Sequence, residues 1–185
     1  STSCLEHSWW GSRDHFGGFA DGGQGEYVRV PHADGTLVKT PEYPSDDLIP
    51  HLLTLSDVFG TGHHAALSGG VGPGSTVVVI GDGAVGLCAV LASKRLGAEC
   101  IVLMSRHASR QELGREFGAT DVIAERGDQG IAAVKALFDG IGPDAVLECV
   151  GTPESMDQAI ASVRPGGTVG FVGVPHDVSV DGVEL

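Results

Sequence analysis

Short apolar runs alternate with helix-like segments from residue 76 onward, and this alternation constrains the fold more than any other feature. The runs predict five strands, which span residues 76–81, 100–104, 121–123, 144–151 and 167–174. They are too short for helices and mostly apolar on both faces, as strands in a covered parallel sheet are. With right-handed crossovers, the pattern predicts an α/β fold with a doubly wound parallel sheet that has five of its six strands.

Four segments between the strands have apolar residues at helical spacing. They span residues 84–98, 110–117, 129–140 and a stretch that begins after Thr152 and runs through 160 towards 163. We expect Asp128 and Thr152 to be N-caps, because their side-chain oxygens can accept hydrogen bonds from free backbone N–H groups of the first turn. Pro153 then takes the first helical position, where its missing N–H costs nothing.

The first 60 residues do not follow this alternation. Residues 25–30 alternate like a strand with one wet face, residues 34–41 are typical of a turn that leads into another strand, and residues 51–59 predict a helix. The stretch has too little apolar material for a core of its own. We therefore predict that residues 1–58 are a small β-containing part of another domain and that residues 59–185 form the domain with the parallel sheet.

Composition excludes several classes of partner. The 185-residue chain has a formal net charge of −13, whereas a protein that binds nucleic acid presents a basic face to phosphates. Hydrophobic residues make up 42% and charged residues 19%, as in soluble globular proteins, and no apolar run is long enough for a membrane span. Cys4, Cys88, Cys100 and Cys149 are far apart and mostly lie in apolar runs, so we expect free thiols and a cytoplasmic protein.

A glycine-rich turn follows the first predicted strand. Gly81, Gly83 and Gly86 have the spacing G-x-G-x-x-G, and the helix that follows includes Ala84 and Val85. In a dinucleotide-binding fold the glycines allow a tight turn, a close approach of the backbone to a pyrophosphate and close packing of helix on strand. The N–H groups at the helix start then face the anion. The turn therefore predicts a pyrophosphate site in a Rossmann-type domain, although a glycine turn without a ligand is the alternative.

The last two predicted strands also end at glycines. In a doubly wound sheet, ligands bind beyond the carboxyl ends of the strands, at the point where the strand order reverses. The nicotinamide half of a dinucleotide is therefore expected beside six residues at these ends: Cys149, Val150, Gly151, Val172, Gly173 and Val174. Ordinary strand-to-loop glycines are the alternative at each of these positions.

The end of the second strand predicts which dinucleotide is bound. An acidic residue near this point usually holds the ribose of NAD, but here the strand ends in Ser105 and Arg106. Ser105 lacks the charge that would repel a 2′-phosphate and adds a hydroxyl donor. Arg106, with Arg110 from the following helix, offers a planar cation that matches the phosphate. We therefore predict that NADP(H) is preferred over NAD(H). In the alternative, Ser109 and Glu112 form a capping box and the arginines are only solvated, and both arrangements can coexist.

The motifs together resemble those of the medium-chain, zinc-containing alcohol dehydrogenase superfamily. The matching stretches are "DGGQGEYVRVPHADGTLVKTP", "LSDVFGTGHHAAL", "VGPGSTVVVIGDGAVGL", "REFGATDVI" and "VRPGGTVGFVGVP", in this order from about residue 20 to the end. The resemblance implies NAD(P)-dependent oxidation of an alcohol or reduction of a carbonyl. It also implies a catalytic zinc that polarises the substrate oxygen as a Lewis acid.

Further residues take their roles from this resemblance alone. Asp57 stands where the family has its third protein ligand to the catalytic zinc, and Thr61 stands where the family has a catalytic threonine beside the cofactor. Cys4 is similar to the last of four cysteines in the structural-zinc lobe. Residues 1–58 are then expected to belong to the GroES-like catalytic domain of the family.

The sequence also departs from the family's pattern. The other ligands of both zinc sites and the sixth strand have no counterpart here, so we expect a central fragment of a longer dehydrogenase that is inactive alone and holds little zinc. We assign surface or packing roles to His51, His63 and His64. Two functions stay open: the cofactor-binding segment of a zinc-dependent, NADP-linked alcohol dehydrogenase or carbonyl reductase, and a non-catalytic dinucleotide-binding module. A small alcohol, aldehyde or ketone is the expected substrate, and an exposed edge strand predicts a homo-oligomer.

Overall fold

The computed structural model describes residues 10–13, 19–180 and 182. The chain divides into two compact units between Ser45 and Asp46. The described residues of the first unit form one short antiparallel pairing and a single helical turn, and the second unit contains the parallel sheet with the helices that cover it. The predicted α/β class is therefore confirmed. The predicted domain division after residue 58 remains a prediction.

Seven strands lie within the described residues. They are β1 (Ser12–Arg13), β2 (Phe19–Ala20), β3 (Thr76–Ile80), β4 (Cys100–Met104), β5 (Asp121–Ile123), β6 (Ala145–Glu148) and β7 (Thr168–Phe171). Strands β3 to β7 are the five that the sequence predicts, and they form one parallel sheet. Strands β4 and β5 have the predicted bounds, whereas β3, β6 and β7 end before the predicted last residue because the chain leaves the sheet to form loops at its carboxyl end.

The order of the strands in this sheet is β5-β4-β3-β6-β7. The chain therefore moves outward in one direction from β3 to β5, then crosses back and continues in the other direction from β6 to β7. Strand β3 lies between β4 and β6, and the order reverses after β5. The switch point is therefore at the carboxyl end of β3. In this order β7 occupies one edge of the sheet.

The helices of the described residues begin and end close to the predicted bounds in the second unit. They are α1 (Ala33–Thr36), α2 (Ile49–Leu52), α3 (Val58–Ser68), α4 (Ala84–Leu96), α5 (Ala108–Phe117), α6 (Gly127–Leu137) and α7 (Pro153–Ser162), with a 3₁₀ turn at Leu53–Ser56. Gly97 ends α4 with a φ of 93°, a left-handed conformation that glycine adopts without strain. None of these helices is both long and apolar enough to cross a membrane.

Alternate residues of β3 belong to two different cores. Val77 and Val79 pack with residues of α3 and α4 on one face of the sheet, and Val78 and Ile80 pack with residues of α6 and α7 on the other. All four side chains are fully buried. Both faces of the sheet are thus covered by helices, which explains why the strands are apolar at nearly every position.

One of the two predicted N-caps is confirmed and the other is wrong. Thr152 is the N-cap of α7 as predicted, and it forms a capping box with Ser155 while Pro153 takes the first helical position. Asp128 is not a cap, because α6 begins at Gly127 and its N-cap is Arg126. Asp128 lies inside the first turn instead, where a negative charge still interacts favourably with the helix dipole.

The capping box that we considered for Ser109 and Glu112 is also wrong. Helix α5 begins at Ala108 and His107 is its N-cap, so Ser109 lies one residue inside the helix. A side chain at that position is past the point where it can accept the first free N–H groups. The structure therefore removes the capping explanation for this segment and leaves its arginines to be explained separately.

The strands predicted for the first unit are wrong as well. Residues 25–30 form no strand, and the segment 34–41 holds the end of α1 followed by residues that belong to no strand. A strand needs a partner, and alternation of side chains alone does not supply one. The only pairing in the described part of this unit joins β1 with β2 through two residue pairs.

The segment predicted as a helix at 51–59 is helical but interrupted. The 3₁₀ turn ends at Ser56, Asp57 follows with φ −156° and ψ −69°, and α3 begins at Val58. Asp57 therefore separates the two helical pieces. Helix α3 then packs closely on α4, because a Cβ at Gly62 would come within 2.6 Å of the backbone nitrogen of Ala89.

Candidate cofactor-binding site

The carboxyl ends of three neighbouring strands meet at the switch point. The register aligns Ile80 of β3 with Glu148 of β6, and Glu148 with Phe171 of β7. Backbone hydrogen bonds extend this contact past the strands, from Cys149 N to Ile80 O at 3.0 Å and from Val172 N to Glu148 O at 2.9 Å. The structure therefore brings together the glycine turn and the two strand ends that the sequence singles out.

The glycine turn has the close contacts that its spacing requires. Gly81 has a φ of 114°, and a Cβ on Gly86 would overlap the carbonyl oxygen of Gly81. Gly83 is different, because nothing lies within 4 Å of the position that its Cβ would occupy. Ala84 begins α4 and is exposed, and Val85 is half-buried. The turn is thus packed on its inner side and open at Gly83, above the N–H groups at the start of the helix.

The two loops after β6 and β7 touch each other through glycines. A Cβ on Gly151, whose φ is 88°, would overlap the carbonyl oxygen of Gly173. Val150 and Val174 are exposed beside this contact, and Val174 has a φ of 56°. A β-branched residue rarely adopts this conformation, and such backbone strain is often found at functional sites. Val150 also lies next to the glycine turn, because a Cβ on Gly81 would come within 2.9 Å of its Cγ2 atom.

A buried carboxylate holds the loop after β6 in place. Glu148 is fully buried, and its Oε1 accepts hydrogen bonds from Val150 N at 2.7 Å, Gly151 N at 2.7 Å and Ser155 Oγ at 2.8 Å. Its Oε2 has no hydrogen-bond partner among the described residues. Sequence analysis missed this residue, although a charged side chain inside the apolar run "AVLECV" was a usable signal.

The neighbouring thiol is kept neutral by its surroundings. Burial raises the pKa of Cys149 to about 12, and the Glu148 carboxylate contributes to the increase because it disfavours a second negative charge. The Cys149 thiol is therefore protonated at physiological pH. It can line the site as a small apolar group but is not suited to act as a nucleophile.

The tip of β4 is built differently from the sequence expectation. Ser105 is fully buried, and its hydroxyl donates to Asp82 Oδ2 at 2.7 Å, while Gln111 Nε2 donates to the carbonyl of Ser105, also at 2.7 Å. Arg106 and Arg110 are exposed, and neither forms an ion pair within the described residues. Sequence analysis missed Asp82, which lies inside the glycine motif but reaches the tip of the next strand.

The residues expected near zinc are only partly described. Asp57 is exposed and its Oδ1 accepts a hydrogen bond from Thr61 Oγ1 at 2.7 Å, so these two predicted residues do lie together. Among the described residues, no three histidine, cysteine, aspartate or glutamate side chains cluster as a metal site requires. Cys4 lies outside the described residues. The described part of the chain thus does not by itself provide the ligands of a zinc site.

The strand order and the glycine turn at the switch point define a Rossmann-type α/β fold. Comparison with known proteins identifies its family. Residues 84–183 match the family described as zinc-binding dehydrogenase. The chain is 37% identical over 161 residues to zinc-type alcohol dehydrogenase B of Aspergillus flavus. The matched region covers 83% of this chain and 37% of that protein. The chain therefore belongs to the zinc-binding dehydrogenase family.

Two further comparisons agree with this assignment. The chain is 34% identical over 154 residues to the NADP-dependent isopropanol dehydrogenase of Clostridium beijerinckii, covering 83% of this chain and 41% of that one. The solved structure of alcohol dehydrogenase TADH from Thermus sp. ATN1 superposes with a TM-score of 0.78 at 34% identity, over 89% of this chain and 46% of that one. The chain thus spans less than half the length of these relatives.

Proposed function

We propose that this chain is the cofactor-binding segment of a zinc-dependent, NADP-linked dehydrogenase that oxidises an alcohol or reduces a carbonyl. The observation that carries the proposal is the open glycine turn at the switch point, with Arg106 exposed at the neighbouring strand tip. Membership of the zinc-binding dehydrogenase family supports the reaction class. The relative named NADP-dependent isopropanol dehydrogenase supports the use of NADP, the cofactor with the 2′-phosphate, within this family.

The proposed role of the glycine turn is to bind the pyrophosphate. The free N–H groups at the start of α4 would donate to the phosphate oxygens, and the helix dipole would stabilise their charge. Gly83 leaves space for the pyrophosphate to approach the backbone, because no other atom lies within 4 Å of the position that a Cβ would occupy. Gly81 and Gly86 keep the turn and helix close enough to hold these donors in place.

The proposed role of the two loops after β6 and β7 is to enclose the nicotinamide. A bound nicotinamide cofactor supplies the carbon that accepts or donates the hydride. Val150, Gly151, Gly173 and Val174 would shield one face of the ring from water, and Glu148 fixes the loop that carries the first two. Cys149 and Val172 complete this shield. Thr61, whose hydroxyl donates to Asp57, is the proposed polar group beside the reacting end.

The proposed basis of NADP preference is the charge at the tip of β4. Ser105 carries no charge where an acidic residue would otherwise meet the 2′-phosphate. Arg106 and Arg110 are exposed cations without an ion-pair partner in the described residues, so binding a phosphate would not require an existing ion pair to break. An arginine also matches the planar arrangement of phosphate oxygens.

Zinc belongs to the proposal only for the longer protein. Asp57 would be one ligand of a catalytic zinc and Cys4 one ligand of a structural zinc, with the remaining ligands outside this chain. The second candidate function, for this chain by itself, is a non-catalytic dinucleotide-binding module, which needs the glycine turn but no complete zinc site. Measuring alcohol-dependent NADPH formation by this chain and by a longer protein that contains it separates the two candidates.

We also propose that residues 1–58 belong to the GroES-like catalytic domain and that the protein is a homo-oligomer. Strand β7 lies at the sheet edge, and Phe171 on it is 57% exposed. An open edge invites pairing with another strand. A monomer at high concentration with fast amide exchange at 168–172 would contradict the oligomer.

Calorimetric titration of NADP and NAD tests the cofactor preference. We expect tighter binding of NADP, and Arg106→Ala is expected to weaken NADP by roughly tenfold to a hundredfold because a charge-assisted hydrogen bond is lost. Binding of NAD should change little. Arg115→Ala, which removes an exposed arginine from the other end of α5, is the matched control and should alter neither affinity. Equal affinity of the unmutated chain for the two cofactors would contradict the preference.

A further inference from the structure

A carboxylate is present at the tip of β4, although the sequence places none in that strand. It is Asp82, which belongs to the glycine turn after β3. Its Oδ2 accepts the hydroxyl hydrogen of Ser105 at 2.7 Å, a far better contact than the 3.5 Å between the same hydroxyl and the carbonyl oxygen of His107. Because Ser105 is fully buried, the hydrogen bond fixes the Asp82 carboxylate at the strand tip.

Only one oxygen of Asp82 is used in this way. Among the described residues no hydrogen bond reaches Oδ1, and Asp82 is half-buried rather than enclosed. The neighbouring Gly83 is exposed, so the turn is accessible from the side on which the pyrophosphate would bind. A charged acceptor is thus available between the proposed pyrophosphate site and the proposed 2′-phosphate site.

The chemistry of such an acceptor differs for the two cofactors. The ribose of NAD has a 2′-hydroxyl, which can donate a hydrogen bond to a carboxylate, whereas the 2′-phosphate of NADP is repelled by it. Arg106 and Arg110 have the opposite effect, since a cation attracts the phosphate and gains little from the hydroxyl. The strand tip therefore combines two opposing determinants of cofactor choice.

We propose that Asp82 is a specificity-determining residue that lets the site accept NAD(H) as well as NADP(H), with the ratio of affinities set by Asp82 against Arg106. This inference rests on the proposed function, because it concerns the ribose end of the same cofactor. Ser105 then acts through Asp82. It is a positioning residue whose hydroxyl is occupied by the carboxylate and is not a donor to the phosphate.

Asp82→Asn is the most direct variant for this proposal. The asparagine keeps a carbonyl oxygen that can accept the Ser105 hydrogen, so the turn should retain its geometry while it loses its charge. Calorimetric titration should show NADP binding about tenfold tighter and NAD binding about tenfold weaker, the effect of one charge-assisted interaction on each cofactor. Arg106→Ala, measured in parallel, should shift the ratio in the opposite direction. Thermal unfolding of each variant verifies that the fold is retained.

Ser105→Ala separates the two roles of the serine and remains informative if Asp82→Asn fails to fold. As a positioning residue, Ser105 should affect NAD more than NADP, with a loss of about fivefold for NAD when the carboxylate is released. Selective loss of NADP affinity would instead make Ser105 a direct phosphate donor and would overturn this assignment.

The outcomes of these titrations distinguish the inference from the proposed function. If the unmutated chain binds both cofactors and Asp82→Asn leaves their affinity ratio unchanged, the inference is overturned and the proposed function stands. If the unmutated chain binds neither cofactor, the proposed function fails and the inference fails with it. A ratio that moves towards NADP in Asp82→Asn and towards NAD in Arg106→Ala supports both.

Discussion

Two carboxylates lie at the two ends of strand β6, and they differ in how completely their oxygens are hydrogen-bonded. Asp144 precedes the strand, and both of its oxygens are used: Oδ2 accepts from Thr76 N and Thr76 Oγ1, each at 2.9 Å, and Oδ1 accepts from Arg164 Nε at 2.8 Å. Glu148 ends the strand and is fully buried, yet only its Oε1 accepts hydrogen bonds from the described residues. One strand thus joins a satisfied network at the amino end of the sheet to an incompletely satisfied one at the carboxyl end.

The difference reflects what each end of the sheet does. The Asp144 network ties the start of β3 to the turn before β7, and its charged side chains are about two-fifths exposed, so water screens them. At the carboxyl end, the contacts of Glu148 fix a loop that also touches Gly173, and the backbone at Gly83 in the glycine turn is exposed. The Asp144 network thus contributes to the fold, whereas Glu148 both stabilises a loop of the proposed site and retains one buried oxygen without a hydrogen-bond partner among the described residues.

The largest expected effect comes from breaking the carboxyl end at Glu148. Glu148→Ala leaves two backbone N–H groups and the Ser155 hydroxyl without their acceptor, which should lower the free energy of unfolding by about 4 kcal/mol. Urea unfolding measures this change. Glu148→Gln keeps one acceptor oxygen for the same donors and should lose less than half as much. An alanine variant as stable as the unmutated chain would mean that Glu148 does not organise the loop.

An intermediate effect is expected within the glycine turn, where two positions differ sharply. Gly86→Ala forces a methyl group against the Gly81 carbonyl and should cost about 2 kcal/mol of folding stability. Gly83→Ala meets nothing within 4 Å and has an ordinary backbone conformation, so its stability should change by less than about 0.5 kcal/mol. Both variants should bind NADP more weakly in a calorimetric titration. Normal NADP affinity in the stable Gly83→Ala variant would show that the cofactor does not approach this turn.

The smallest effect is expected at the amino end. The Thr76 backbone N–H, then the Arg164 side chain, lower the pKa of Asp144 below its ordinary value. The stabilisation from this carboxylate is therefore complete above the ordinary aspartate pKa of about 4 and is lost as pH falls through the lowered pKa. Asp144→Asn should cost no more than about 1 kcal/mol at neutral pH, because the pair is partly exposed.

The pH dependence of unfolding provides the matching test for Asp144. In Asp144→Asn, the loss of stability between about pH 4 and more acidic conditions should be shallower than in the unmutated chain. NADP affinity at neutral pH should stay unchanged, since the residue lies at the other end of the sheet from the proposed site. Identical acid unfolding of the two proteins would remove Asp144 from the account of stability at the amino end.

The sequence predicted the parallel sheet well because its signals are local. Apolar runs, helical spacing and the glycines at 81, 83 and 86 each depend on residues close together in the chain. It failed where the outcome depends on partners distant in the chain. Residues 25–30 alternate correctly but have no strand to pair with in the described residues. Asp82 and Glu148 acquire their roles only when the ends of separate strands meet, so their spacing alone could not identify them.

Hydrogen–deuterium exchange with and without saturating NADP tests the central claim, that the cofactor binds at the carboxyl end of the sheet. We predict slower amide exchange in the glycine turn at 83–86 and in the loops at 149–151 and 172–174, where the site would bind the dinucleotide. The amides of Thr76 and Asp144, at the amino end, should exchange at unchanged rates. Protection confined to the amino end, or no protection at either end under saturating NADP, would contradict the account.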